Sequence, residues 1–279
     1  MGDGDSEQVA RPSLSSSPVR SRGNSRGHSR WGSSKQGVRW PLQYGQRLAR
    51  GLLDLVFPAH CVVCGHLGAW LCVECQAEIH RVDPPLCPCC GRPWRERGLC
   101  PDCRASLRLI EARRFVAWHV SPLREALHAL KYQGLRALGP PLARLLVDVW
   151  ERERISVDGV VPVPLHPRRK RRRGYNQAEV LARAFCQEMG LPLWGEVLVR
   201  KRDTPSQVGL TREERKRNVR GAFACHPRDL TGARILLIDD VCTTGATLEA
   251  CAEPILARGA AAIYALTVAR ARPGRDVSR

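Results

Sequence analysis

The chain has 279 residues and a formal net charge of +18, with arginine dominating the basic set. That length accommodates one large domain and a small one, and the charge points to anionic partners such as a nucleotide, a pyrophosphate or nucleic acid. No apolar run is long enough to span a membrane, and the first forty residues lack the apolar core of a secretory signal.

Residues 1–40 are rich in Ser, Arg and Gly, with Asp3, Asp5 and Glu7 at the extreme start. They show no apolar face that would offset the entropy of ordering, so a basic, solvated tail is expected, open to non-specific contact with nucleic acid. Residues 41–57 read as a short helix, because Leu48, Leu52, Leu55 and Val56 recur at helical spacing before Pro58 ends the segment.

A cysteine module follows. Eight of the 13 cysteines form four Cys-x-x-Cys pairs: Cys61/Cys64, Cys72/Cys75, Cys87/Cys90 and Cys100/Cys103. Two such pairs across a short loop supply the four thiolates of a structural zinc site. With nothing directing export, metal binding in a reducing cytoplasm is favoured over disulfides. A module this small needs the metal, because it buries little apolar area. The spacing is compatible with sequential or crossed pairing. Cys89 adds a ninth thiol beside Cys90, leaving the ligand register of the second site open. His60, His66 and His80 are alternative ligands, though their place in loops favours solvation.

Beyond Cys103 the pattern changes to strands alternating with amphipathic helices. Phe115–Val120 reads as a strand. Ser121 is placed to cap a helix with Pro122 at its first position; Leu123, Ala126, Leu127 and Leu130 form the apolar face and Gly134 the stop. A second helix carries Leu142, Leu145, Leu146 and Val149. Val160–Val163 is a short strand despite Pro162. The basic run Arg168–Arg173 then reads as a loop between strand and helix; six consecutive side chains cannot all face one site, and several are left for solvent or nucleic acid. Asn176 caps a helix whose face is Ala178, Leu181, Ala182, Phe185 and Met189. Residues 200–223 are polar, basic and poor in core residues, as suits a mobile lid. Thr204, Gln207, Arg215 and Asn218 are its candidate functional positions, whereas Lys201 and Lys216 are expected only to solvate it.

The run Ile235–Ile238 reads as a strand buried on both faces. It leads directly into Asp239 and Asp240, then Val241-Cys242-Thr243-Thr244-Gly245-Ala246-Thr247. The following helix buries Leu248, Cys251, Ala252, Ile255 and Leu256, with Pro254 on its other face. Ile263–Val268 is a last strand. Such alternation predicts a parallel sheet covered on both faces, with ligands beyond the carboxyl ends of its strands. There the Thr-rich turn presents hydroxyls and N–H groups at a helix start, a ready phosphate site, and the two acids can grip sugar hydroxyls beside it. A lone acid would be better read as a cap; two acids before Thr-Thr-Gly-x-Thr form a much rarer pattern.

Asp239–Thr247 resembles the signature of type I phosphoribosyltransferases, which bind phosphoribosyl pyrophosphate. The resemblance implies an α/β fold of that type, with Asp239 and Asp240 on the ribose 2- and 3-hydroxyls and Val241–Thr247 around the 5-phosphate. Three more stretches narrow it: Leu130-Lys131-Tyr132-x-Gly134; Val161-Pro162-Val163-Pro164 leading to Arg173-Gly174-Tyr175-Asn176-Gln177; and Arg200-x-Arg202-x-Thr204-x-x-Gln207-x-x-Leu210, continuing to Arg215-x-x-Asn218-Val219-x-Gly221-x-Phe223. With the cysteine module upstream, the chain is similar to the ComF family of competence-associated phosphoribosyltransferase-like proteins over about residues 41–270. Tyr175 and Ser206 stand where Phe and Pro are frequent in that family. The basic tail at 1–40 lies outside the resemblance, which implies a short helix plus double zinc-ribbon module at 41–106 and a phosphoribosyltransferase-type domain at 107–279. It implies Lys131, Arg169, Arg173 and Arg215 as further binding residues, structural zinc, and magnesium with the substrate. It also implies a part in DNA uptake, with single-stranded DNA and a helicase as partners. Two activities follow: pentosyl transfer or sensing of the phosphoribosyl group, and nucleic-acid or partner binding with little transfer.

Overall fold

The computed structural model describes residues 58–105, 109–205 and 210–271. The tail at 1–40, the helix at 41–57, Ser206 and Gln207 lie outside the described residues.

A parallel sheet of four strands forms the centre: β1 (Ala112–Trp118), β2 (Gly159–Pro162), β5 (Arg234–Cys242) and β6 (Ala262–Arg270), in the order β1-β6-β5-β2. Side chains alternate along each strand and feed two separate layers. Leu236, Ile238, Tyr264, Leu266 and Val268 pack under α3 (Leu123–Tyr132), α4 (Gly139–Glu153) and α6 (Gln177–Met189). Ile235, Leu237, Ile263 and Ala265 pack under α8 (Ala246–Leu256). Burial on both faces explains the unbroken apolar run before Asp239. A two-stranded antiparallel ribbon, β3 (Leu198–Arg200) with β4 (Phe223–Cys225), packs on the α8 side and frames α7 (Arg212–Val219).

The helices with strong terminal signals form where the sequence places them. Asn176 Oδ1 accepts from Ala178 N at 3.1 Å, capping α6. Thr211 and Glu214 form a reciprocal capping box on α7. Three expectations change. Ser121 makes no cap: α3 starts at Leu123, and Val120 O accepts from Arg124 N at 2.9 Å, supplying a first-turn donor with a backbone partner instead. The strand expected at Phe115–Val120 begins and ends earlier, because Ala112 already pairs with Tyr264 on β6. The basic run is not a loop but α5 (Pro167–Arg173). His166 Nδ1 accepts from Arg168 N at 3.3 Å, Pro167 presets the first turn, and Gly174 closes it in the left-handed conformation. Asp203 and Glu179 relieve the repulsion, with Lys170 Nζ 3.1 Å from Glu179 and Arg169 Nε 3.5 Å from Asp203.

The cysteine module holds the free edge of β1. Arg81 pairs with Ala117 in an antiparallel bridge, and Trp118 N donates to His80 O at 3.1 Å, so the link between the ribbons caps an otherwise open edge. At the other side of the sheet, a Cβ on Gly159 would lie 2.3 Å from Cδ2 of Trp194. Gly159→Ala is therefore expected to destabilise the fold by about 1–3 kcal/mol through overpacking. A urea denaturation midpoint equal to wild type would refute this.

Candidate functional site

Both acids belong to β5 itself, which runs on to Cys242, rather than to a loop after Ile238. The reason is pairing: Asp239 aligns with Thr267, Val241 with Ala269 and Cys242 with Arg270, so β6 extends the ladder past the acids. Alternation then sends the two side chains different ways. Asp240 is only 4% exposed, and Lys131 Nζ from the end of α3 lies 2.9 Å from its Oδ2. That contact is an ion pair by distance without aligned hydrogen-bond geometry, which leaves Oδ2 short of a hydrogen-bond donor. Asp239 Oδ1 accepts from Asp240 N at 2.9 Å, and Asp240 Oδ1 from Val241 N at 2.7 Å. Burial, and then the neighbouring Asp240 charge, push the Asp239 carboxyl well above the usual carboxylate range. The side chain is half-buried and borders the cavity described below.

The turn Thr243–Gly245 follows, and α8 begins at Ala246. Gly245 sits at φ +85°, a left-handed position that favours glycine, and a Cβ there would meet the Arg113 guanidinium. Thr244 Oγ1 accepts from Ala246 N at 3.3 Å. Thr247 lies in the first turn of α8.

Both acids and part of the turn border an open cavity of about 340 Å³. Asp239, Asp240, Val241, Cys242, Thr243, Gly245 and Thr247 form one side of it. Lys131, Arg169, Arg173 and Arg215 reach it from α3, α5 and α7. Arg169 and Arg173 are one helical turn apart and half-buried, whereas Arg168, Lys170, Arg171 and Arg172 are exposed. Thr244 and Ala246 do not line it; they face a second cavity of about 480 Å³ between α7, α8 and the second ribbon.

Arg200, His119 and Gln177 also line the first cavity. Arg200 is the informative addition. It is 7% exposed, its Nη2 donates to Thr204 Oγ1 at 2.5 Å, and its Nε has no hydrogen-bond partner among the described residues. The guanidinium lies 5.2 Å from the Phe223 ring centroid. Burial, and then Arg169, lower its pKa, so an anion in the cavity would relieve an existing strain on its charge. The sequence marks it as the start of a family-like stretch expected to be poor in core residues, not as a binding residue. Arg200, Thr204, Val219 and Phe223 are in fact buried, and they anchor that stretch to the sheet.

The cysteines resolve into two groups in sequential order: Cys61, Cys64, Cys72 and Cys75, then Cys87, Cys90, Cys100 and Cys103, each with its sulfurs within 4.8 Å of one another. Cys89 belongs to neither; it is buried, with Sγ 4.0 Å from Ile110 O. Among the described residues, no histidine joins either group. Burial raises the Cys87 thiol, but N–H groups of Cys100, Cys90 and Cys89 outweigh it and bring its pKa down to about 6; Cys61 is lowered to about 6 in the same way. Two four-thiol clusters with N–H groups aimed at sulfur fit structural zinc.

Residues 52–104 match the double zinc ribbon domain family, and residues 171–279 match the phosphoribosyl transferase domain family. The chain is 32% identical to the DNA utilization protein YhgH of Escherichia coli (strain K12) over 226 residues, covering 77% of this chain and 99% of that protein. It is 26% identical to competence protein F of Haemophilus influenzae, covering 72% and 96%. It is 28% identical to competence protein ComFC of Bacillus subtilis, covering 72% and 84%. No helix among the described residues is long and apolar enough to cross a membrane. A parallel α/β sheet carrying a phosphoribosyl transferase domain, preceded by two cysteine ribbons and matched along nearly the whole of YhgH, places this chain in the ComF family of competence-associated phosphoribosyltransferase-like proteins.

Proposed function

We propose that the cavity binds phosphoribosyl pyrophosphate with magnesium, and that the protein transfers or senses its 5-phosphoribosyl group. One observation carries this reading: paired acids, a Thr-rich turn at a helix start and a basic wall border a single cavity. The 5-phosphate would sit at Thr243–Thr247, where N–H groups and the helix dipole favour an anion. The ribose hydroxyls would meet Asp239 and Asp240. The pyrophosphate would lie toward Arg169, Arg173, Arg200 and Arg215, whose guanidiniums suit paired oxygens. Lys131, now on Asp240, would turn to the same phosphates and free the Oδ2 oxygen for a hydroxyl. Asp239 and Asp240 would help hold magnesium with the substrate, and the ion would supply neutralisation of charge on the leaving pyrophosphate. In transfer, an acceptor nucleophile forms a bond to the anomeric carbon as the bond to pyrophosphate breaks, the electron pair of the broken bond leaves with pyrophosphate, and Asp239 and Asp240 stabilise the positive charge that develops on the sugar.

Calorimetry of phosphoribosyl pyrophosphate with magnesium tests this. Asp240→Asn is expected to weaken binding at least about tenfold, the loss of one charge-assisted contact. Equal affinity in the two proteins would remove the proposal.

A second reading has its own support. Tyr132 is 66% exposed, and Arg173 lies 5.3 Å from its ring centroid, beside a groove that Arg168, Arg169 and Arg172 also line. An exposed ring within a basic groove suits a stacked single strand, in keeping with relatives named for competence and DNA utilization. Salt-dependent binding of single-stranded DNA that survives Asp240→Asn but falls with Tyr132→Ala would assign the groove to DNA. We read the division at residues 41–106 and 107–279 as the two working parts, ribbons and phosphoribosyl site.

A further inference from the structure

β1 is the strand through which the second ribbon meets the sheet. In the turn Cys87–Gly91, N–H groups of Cys89 and Cys90 are directed at the Cys87 sulfur. A knuckle that spends its donors inward leaves carbonyls facing outward. Three of them are taken by the sheet. Cys89 O accepts from Arg113 N at 2.7 Å, Pro88 O from Arg114 Nη1 at 2.8 Å, and Cys90 O from Arg270 Nη1 at 2.6 Å. The contact is close-fitting, because a Cβ on Gly91 would lie 2.5 Å from the Arg113 carbonyl.

The side chain of Arg113 runs in the other direction, to the turn after β5. Its Nη1 lies 3.2 Å from Glu249 Oε1, in the first turn of α8. The same nitrogen occupies the space beside Gly245, where a Cβ would approach it to 2.4 Å. The ion pair is largely buried, at 15% and 28% side-chain exposure, and the Arg113 Nε has no hydrogen-bond partner among the described residues. Glu249 Oε2 also accepts from Leu109 N at 3.2 Å, which ties the segment after the second ribbon to the same helix turn. One residue thus has its backbone fixed by the cysteine knuckle and its guanidinium against the phosphate turn.

We propose that Arg113 is a positioning residue that couples the fold of the second cysteine knuckle to the turn Thr243–Gly245. When zinc shapes the knuckle, β1 is held in place and Arg113 supports the turn from behind. When the knuckle opens, that support goes and the turn loosens. Among the described residues the first ribbon makes no such contact with the turn: Cys61, Cys72 and Cys75 pack into the opposite layer with α3 and α4, and Cys64 is exposed. The ligand arm of this proposal rests on the phosphate reading of the turn; the coupling itself does not.

Hydrogen exchange of the full chain over residues 243–249, with zinc content measured on the same samples, tests it. Arg113→Gln is expected to speed exchange there at least about tenfold while keeping all its zinc, and Arg113→Lys to restore part of the protection. Cys90→Ser should lose the second zinc and speed exchange over the same residues, whereas Cys64→Ser should lose the first and leave them as in wild type. Calorimetry with ribose 5-phosphate adds the ligand arm: a roughly tenfold weaker affinity in Arg113→Gln is expected. Unchanged exchange at 243–249 in Arg113→Gln, or the same acceleration in Cys64→Ser, would overturn the coupling. A wild-type chain that binds no ribose 5-phosphate would overturn the phosphate reading, and the exchange data would still decide the role of Arg113.

Discussion

Asp239→Asn is expected to stabilise the fold and to abolish binding of phosphoribosyl pyrophosphate. Burial and the Asp240 charge raise the Asp239 pKa above its unfolded value of 3.8. A carboxyl with a raised folded pKa binds its proton more tightly in the folded state. The stability linked to it is fully present below the unfolded value and is lost as pH rises through the folded pKa. Charging Asp239 beside Asp240 therefore costs stability in the wild-type chain, offset in part by Lys131, 2.9 Å from Asp240. Asparagine removes one charge, keeps the shape and retains an oxygen for Asp240 N. A gain of about 0.5–2 kcal/mol is expected, as for other substitutions that relax a functional site, and a rise of a few degrees in Tm. Scanning calorimetry at pH 5 and pH 8 checks the sign: the advantage of the variant should widen at the higher pH. A variant less stable than wild type at pH 8, or a gap independent of pH, would contradict this origin of the strain.

That strained pair was legible in the sequence because it is local. Four apolar residues, two acids and a Thr-rich turn are contiguous, and short-range rules carry each of them. The cysteine spacing was equally local, but it left the pairing order and Cys89 open; only the distances between sulfurs separate the two groups. Arg200 and Arg113 were invisible as site residues for a different reason. Each reaches its target from a strand distant in sequence, and their importance lies in burial and in unpartnered nitrogens, which no periodicity encodes. The helix α5 was missed because a run of like charges suggests an extended, solvated segment. His166, Pro167 and Gly174 at its ends, with Asp203 and Glu179 alongside, reverse that expectation.

Removing zinc is expected to have the largest effect on the fold, and an unequal one. Among the described residues, the second ribbon has five cysteines in its apolar cluster, with Trp94 and Leu99 as the partly buried side chains packed against them. A core of that size supplies little of the free energy needed to order the segment. A structural zinc site contributes on the order of 10 kcal/mol, so the metal decides whether residues 87–103 fold. The first ribbon differs, because Cys61, Leu71, Cys72, Cys75 and Ile79 belong to the large layer under α3 and α4. Its apo form keeps part of that packing. Alkylation mapped by mass spectrometry during titration with a chelator separates the two. Cys87, Cys90, Cys100 and Cys103 should react before Cys61, Cys72 and Cys75, while Cys251, buried under α8, stays protected. Simultaneous reaction of both groups would mean that the ribbons share one cooperative unit and that the packing difference between them has no energetic weight. Protection of all eight after zinc release would mean that apolar contacts alone hold the module, against the small core from which the need for metal was argued.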